Sequence, residues 1–132
     1  MIDVIQINNV NLADIIMFKL DKIDNEFTQE ELNQITEIVI DLSMEDDSVF
    51  VILKEVIKLK QLQLITIRNA SFENDDFSYL LQLTNLKGIV FENCEFENAD
   101  LIASLFVQSL SLINCNIANY SFVNVIPILV EI

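Results

Sequence analysis

The chain contains no histidine, one glycine, one proline and two cysteines. Without histidine it lacks the commonest general base and a leading metal ligand. With Gly88 as its one glycine, it has no glycine-rich loop to cradle a phosphate. It also lacks the tight glycine turns of a hairpin-rich all-β fold. Basic residues are scarce too: 7 Lys and Arg stand against 21 Asp and Glu, a net charge of −14. None of the seven follows Lys87. Nucleic-acid affinity rests on neutralising phosphates, so no nucleic-acid partner is expected. An anionic membrane surface repels the chain for the same reason. A basic protein would be steered toward it.

Long apolar runs are missing as well. The stretch from Val49 to Leu53 is cut by Lys54, far short of a span. The start, Met1-Ile2-Asp3-Val4, lacks the basic region and apolar stretch of a signal peptide. Two cysteines are too few for a disulfide framework. Together these absences point to a reducing compartment, with a cytoplasmic location as the expectation.

What is present is apolar. Hydrophobic residues make up 52% of 132 positions, enough for one domain with a core that needs no metal or disulfide. That composition argues against disorder.

The apolar residues recur as a repeat. Leu62-Gln-Leu-Ile65-Thr-Ile67-Arg-Asn-Ala70-Ser-Phe72 aligns with Leu86-Lys-Gly-Ile89-Val-Phe91-Glu-Asn-Cys94-Glu-Phe96. Both align with Val107-Gln-Ser-Leu110-Ser-Leu112-Ile-Asn-Cys115-Asn-Ile117. All follow L-x-x-L-x-L-x-x-N/C-x-L, apart from Ala70 at the N/C position. Weaker copies begin at Ile2 and Ile35, and a sixth begins at Leu129 and runs to Ile132. The starts at 2, 35, 62, 86, 107 and 129 are spaced by 33, 27, 24, 21 and 22 residues. A second signal keeps the same register: Phe72-Glu73-Asn74-Asp75-Asp76-Phe77 recurs 24 residues on as Phe96-Glu97-Asn98-Ala99-Asp100-Leu101.

This pattern resembles the leucine-rich-repeat family. The resemblance implies an α/β solenoid of about five to six repeats over 1–132, with parallel strands on the concave face and helices on the convex face. Each L-x-L would point into the core and the intervening residue outward, with period two. Return helices are expected over Ser48–Lys60, Asp76–Leu83 and Asp100–Phe106, with Asp76 and Asp100 as N-caps. Residues 1–34 read as an atypical N-terminal capping region before repeats over 35–132. There Ala13–Ile23 reads as one helix, and Thr28-Gln29-Glu30-Glu31 as a capping box opening another.

The outward strand positions would be Val4, Gln6 and Asn8, then Glu37, Val39 and Asp41, then Leu64, Thr66 and Arg68. Gly88, Val90 and Glu92 follow, then Ser109, Ser111 and Ile113. The family usually binds partners on this concave face, so Val39, Leu64, Thr66, Arg68, Val90, Glu92, Ser111 and Ile113 are the candidate partner-binding residues. Leu64 and Val90 are expected to form an exposed apolar centre. Acidic loops follow the strands, and stacking would gather Glu45, Asp46, Asp47, Glu73, Asp75, Glu95 and Glu97 on one rim. The plainer reading is that such carboxylates cap helices and keep an apolar chain in solution.

Cys94 and Cys115 share the inward N/C position, where a buried, inert thiol ladder is expected. Asn69, Asn93 and Asn114 share the column before it, suited to a ladder of side-chain amides. No catalytic constellation, cofactor or metal site is expected, and the acidic loops lack EF-hand spacing.

The functional expectation is a non-catalytic protein-interaction module with a basic protein partner. An acidic inhibitor or immunity-type protein that neutralises a basic enzyme fits the size and charge. The alternative is a structural fragment of a longer leucine-rich-repeat adhesin or effector, which the cut-off sixth repeat favours. The apolar C-terminal edge, Leu129–Ile132, is expected to promote self-association.

Overall fold

The computed structural model describes residues 4–45, 48–73, 78–97 and 107–117. Among these residues the backbone is an α/β fold with a four-strand parallel sheet and three α-helices. The sheet is built from β1 (Glu37–Asp41), β2 (Leu64–Arg68), β4 (Gly88–Glu92) and β6 (Ser109–Ile113), side by side in chain order. After β2, β4 and β6 come the two-residue strands β3 (Ser71–Phe72), β5 (Glu95–Phe96) and β7 (Asn116–Ile117), which form a second parallel sheet.

Alternation fixes the register. Ile38, Ile65, Ile89 and Leu110 are paired neighbours, as are Ile40, Ile67, Phe91 and Leu112. All are buried. Burying such a side chain is worth about 1.5–3 kcal/mol, so a one-residue slip would cost the whole set at once.

Leaving the last three of the four long strands, β2, β4 and β6, the chain turns through an asparagine in the left-handed region: Asn69 at φ 61°, Asn93 at 54° and Asn114 at 53°. That conformation costs an ordinary residue about 1–2 kcal/mol, and asparagine tolerates it best after glycine. The asparagine column is therefore set by backbone conformation. The Asn69 and Asn93 amides donate to the Glu92 and Ile113 carbonyls of the next strand, each at 2.9 Å. Helix α3 (Val49–Val56) begins at Ser48, whose hydroxyl accepts from the Val51 amide, within the helix expected over Ser48–Lys60. Of the helix expected over Asp76–Leu83, the described residues form a short 3-10 helix, Leu80–Gln82. The Asp76 cap and the helix expected over Asp100–Phe106 lie outside the described residues, as do Ile2 and the terminal Leu129–Ile132.

The N-terminal region departs from the repeat. The copy starting at Ile2 does not yield a sheet strand, so Val4, Gln6 and Asn8 are not on the sheet face. Ile5 makes a single antiparallel bridge with Phe27. Val10, a core position of that copy, instead opens helix α1 (Val10–Leu20) and is 71% exposed.

Side chains capture the backbone that a ladder would need. Asn25 accepts from the Ile7 amide at 3.0 Å and donates to its carbonyl at 2.7 Å. The Asn9 carboxamide oxygen accepts from the Leu12 amide at 2.8 Å and so caps α1. Helix α2 (Gln29–Leu32) carries the capping box read from Thr28 and Glu31. The hydrogen bond from the Thr28 amide, then that from Lys22, lowers the Glu31 carboxyl below its ordinary value. Leu12, Ile16, Phe27 and Leu32 from this region join the same buried cluster as the strands. Among the described residues no helix is long and apolar enough to cross a membrane.

Candidate functional site

The outward residues of the four long strands form three rows, read across the sheet. Val39, Thr66, Val90 and Ser111 make the central row, with Cα partners in register from strand to strand. Glu37, Leu64, Gly88 and Ser109 lie on one side of it, and Asp41, Arg68, Glu92 and Ile113 on the other. Every candidate strand residue therefore lies on this one face.

Exposure across the face is uneven. Val39, on the first strand, is the most open apolar residue, at 46%. Leu64 and Val90 are half-buried and belong to different rows, so they do not form the exposed apolar centre expected for them. Gly88 explains part of this. A Cβ there would stand 3.1 Å from Leu64 Cδ1 and 2.9 Å from Ser109 Oγ. The absent side chain gives Leu64 room to lie against its neighbour.

Charge is uneven too. Arg68 Nε donates to Glu92 Oε2 at 2.5 Å, and the Glu92 carboxylate raises the guanidinium pKa further. As a half-exposed ion pair it adds little to stability, but it cancels the charge of Glu92 locally. Asp41 accepts from Asn69 Nδ2 at 2.8 Å and from the Ser43 amide at 2.9 Å. Those bonds, Asn69 first, lower its carboxyl below the ordinary value. Glu37 and Asp41 flank Val39 on the same strand, so the acidity of the face collects along β1.

The acidic rim divides. Glu45 is half-buried, and its carboxylate accepts from Asn9 Nδ2 at 3.2 Å and Asn11 Nδ2 at 2.7 Å. It ties the start of α1 to the loop after β1 and is not a free rim charge. Glu73, Glu95 and Glu97 are exposed beside the second sheet. Glu95 pairs with Ser71 on one side and Asn116 on the other. Asp46, Asp47 and Asp75 lie outside the described residues.

Both cysteines are free thiols. Cys94 is buried as expected, with Sγ 3.3 Å from the Ile67 carbonyl oxygen. Cys115 is only half-buried, with Sγ 3.4 Å from the carbonyl oxygens of Phe91 and Ile113. A hydrogen bond with the Cys115 thiol, then burial, pushes the Cys94 thiol pKa well above its ordinary value. The same hydrogen bond lowers Cys115 to about 7, against the effect of burial. The expected thiol ladder thus has one sheltered member and one partly open one.

Sequence reasoning missed Glu55. It is buried in α3, accepts from the Asn8 amide at 2.5 Å and pairs with Lys58 Nζ at 2.5 Å. Lys58 also donates to the Gln6 carbonyl at 3.1 Å. The residues joined lie 47 and 52 positions apart, and no local pattern signals such a pairing. A cavity of about 220 Å³ lies against Leu80, Leu83, Leu86, Ile89 and Val107, with Thr84 as the one polar side chain among its described lining residues. Among the described residues no group of His, Cys, Asp or Glu gathers to hold a metal ion. Comparison with models of known protein families and with curated proteins gives no match.

Proposed function

We propose that the chain is a leucine-rich-repeat solenoid that serves as a non-catalytic protein-interaction module in the cytoplasm. Its outer sheet face would bind a basic protein, as an inhibitor or immunity-type protein neutralising a basic enzyme would. One observation carries this reading. The buried side of the sheet is uniformly aliphatic or aromatic, as packing demands, whereas the open side mixes Val39, Thr66, Val90 and Ser111 with flanking carboxylates. Packing does not require that mixture, and short, stiff side chains there lose little entropy on docking.

The kinetics of association with a protein captured on this face test the reading. Replacing Glu73, Glu95 and Glu97 with Gln should slow association and flatten its salt dependence, because exposed charges are screened over about 8–10 Å at physiological salt. Replacing Val39 and Val90 with Ser should act mainly on dissociation, raising its rate roughly ten-fold. Neither set touches the buried rows, so thermal unfolding should move little. An unchanged on-rate and salt slope would leave the rim carboxylates with a solubilising role only. Unchanged dissociation would move the interface off the sheet face.

A further inference from the structure

The four-strand sheet begins at β1, which pairs with β2 on one side. In a parallel ladder the N–H and C=O of one residue point to the same side, and successive residues alternate. The phase is fixed at both ends of β1: the Leu64 amide donates to the Thr36 carbonyl at 3.0 Å, and the Leu42 amide to the Arg68 carbonyl at 2.9 Å. Even-numbered residues of β1 therefore face β2. The main-chain groups of Glu37, Val39 and Asp41 face the outer edge. Among the described residues nothing pairs with them: the one bridge outside the named strands joins Ile5 to Phe27. All three residues are exposed. Each non-proline residue carries one main-chain donor and one acceptor, so the edge offers an alternating row of both.

We propose that the outer edge of β1 is a strand-addition site for an extended, basic segment of a partner protein. The alternative occupant, a second copy of this chain, is disfavoured by charge. Antiparallel pairing of two β1 strands about Val39 brings their outward-facing residues together and sets Glu37 against Asp41 twice. Like charges directly opposite destabilise a ladder, and each copy carries a net charge of −14. A strand with Lys or Arg opposite Glu37 and Asp41, and a small residue opposite Val39, reverses the sign of both contacts. Main-chain bonds would give affinity, and the two carboxylates the choice of partner. The inference rests on the interaction-module reading only for the sign of the partner's charge.

The probe is the synthetic peptide Thr-Lys-Thr-Thr-Thr-Lys-Thr, whose alternate positions set Lys, Thr and Lys opposite Glu37, Val39 and Asp41, compared with a backbone N-methylated twin of equal charge. Amide hydrogen exchange on the full chain should slow roughly ten-fold or more at Glu37, Val39 and Asp41 with saturating peptide. The twin should leave those amides unchanged. Val39→Pro should abolish peptide binding without losing a ladder bond, because proline is tolerated where the N–H faces outward on an edge. The N-methylated twin, which leaves the protein unchanged, covers the case of an unfolded proline variant. Equal binding of peptide and twin would overturn the assignment in favour of charge attraction alone. Edge amides already protected in the free protein, and released on dilution, would overturn it in favour of a second copy. A protein captured through Thr66 with the edge amides unprotected would overturn the edge site and leave the interaction-module reading standing.

Discussion

Phe91→Ala is expected to remove about 3–5 kcal/mol of stability, the range for emptying a large buried aromatic site. Phe91 is fully buried in β4, where its ring meets Phe72 at 5.2 Å and Phe96 at 5.0 Å, both edge to face. Phe72 and Phe96 stack on each other at 5.2 Å. The three rings thus join the two sheets, and truncating the central one opens a cavity that two neighbours must collapse into. Such a loss is a large fraction of the roughly 5–15 kcal/mol typical of a domain. Phe91→Leu keeps most of the volume and should cost clearly less. Urea unfolding of both variants gives the comparison. A loss below about 1 kcal/mol for the alanine variant would mean that the rings do not bridge the sheets as described.

Glu55→Ala is the second large effect, at about 2–3 kcal/mol, because it strands the Asn8 amide and the Lys58 ammonium together. The figure stays at the low end because Lys58 is about a third exposed and reaches water. Glu55 holds residues before α1 onto α3, so the damage should be local before it is global. Amide exchange should quicken first at Ile5, Ile7 and Phe27, while Ile67 and Phe91 remain protected. Loss of protection across all four long strands at once would show that the N-terminal region and the sheet form one cooperative unit.

These two sites mark what was legible in the sequence and what was not. The alternation at Ile65 and Ile67, and at Ile89 and Phe91, announced core and outward rows because strand period is local and the repeat spacing aligned them. Those rows also placed the partner-face candidates on one side of one sheet. The copy at Ile2 carried the same spacing and failed. Apolar residues at intervals of three also suit a helix, and Asn9 capped one from inside the motif. The Asn25 and Glu55 contacts that settled the matter come from 18 and 47 residues away. Glu45 looked like one more rim carboxylate for the same reason, since its partners Asn9 and Asn11 lie on another element. The second sheet hid in the tail of the repeat, where two-residue strands are too short to show periodicity. The unpaired edge at β1 was equally hidden, because which strand lacks a neighbour is a property of topology.

Site-specific photo-crosslinking in the cell that makes the protein tests the interaction reading most directly. One benzophenone residue is placed at Thr66, in the central row of the sheet face, and another at Val51, on the exposed side of α3. Adducts from Thr66 should be dominated by one basic polypeptide and should weaken with added salt over the range in which surface charges are screened. They should also fade when Val39 and Val90 are changed to Ser. Adducts from Val51 should be sparse. Equal yields from the two positions, a Thr66 adduct with an acidic or neutral protein, or adducts from Val51 alone would contradict a basic-protein interface on this sheet.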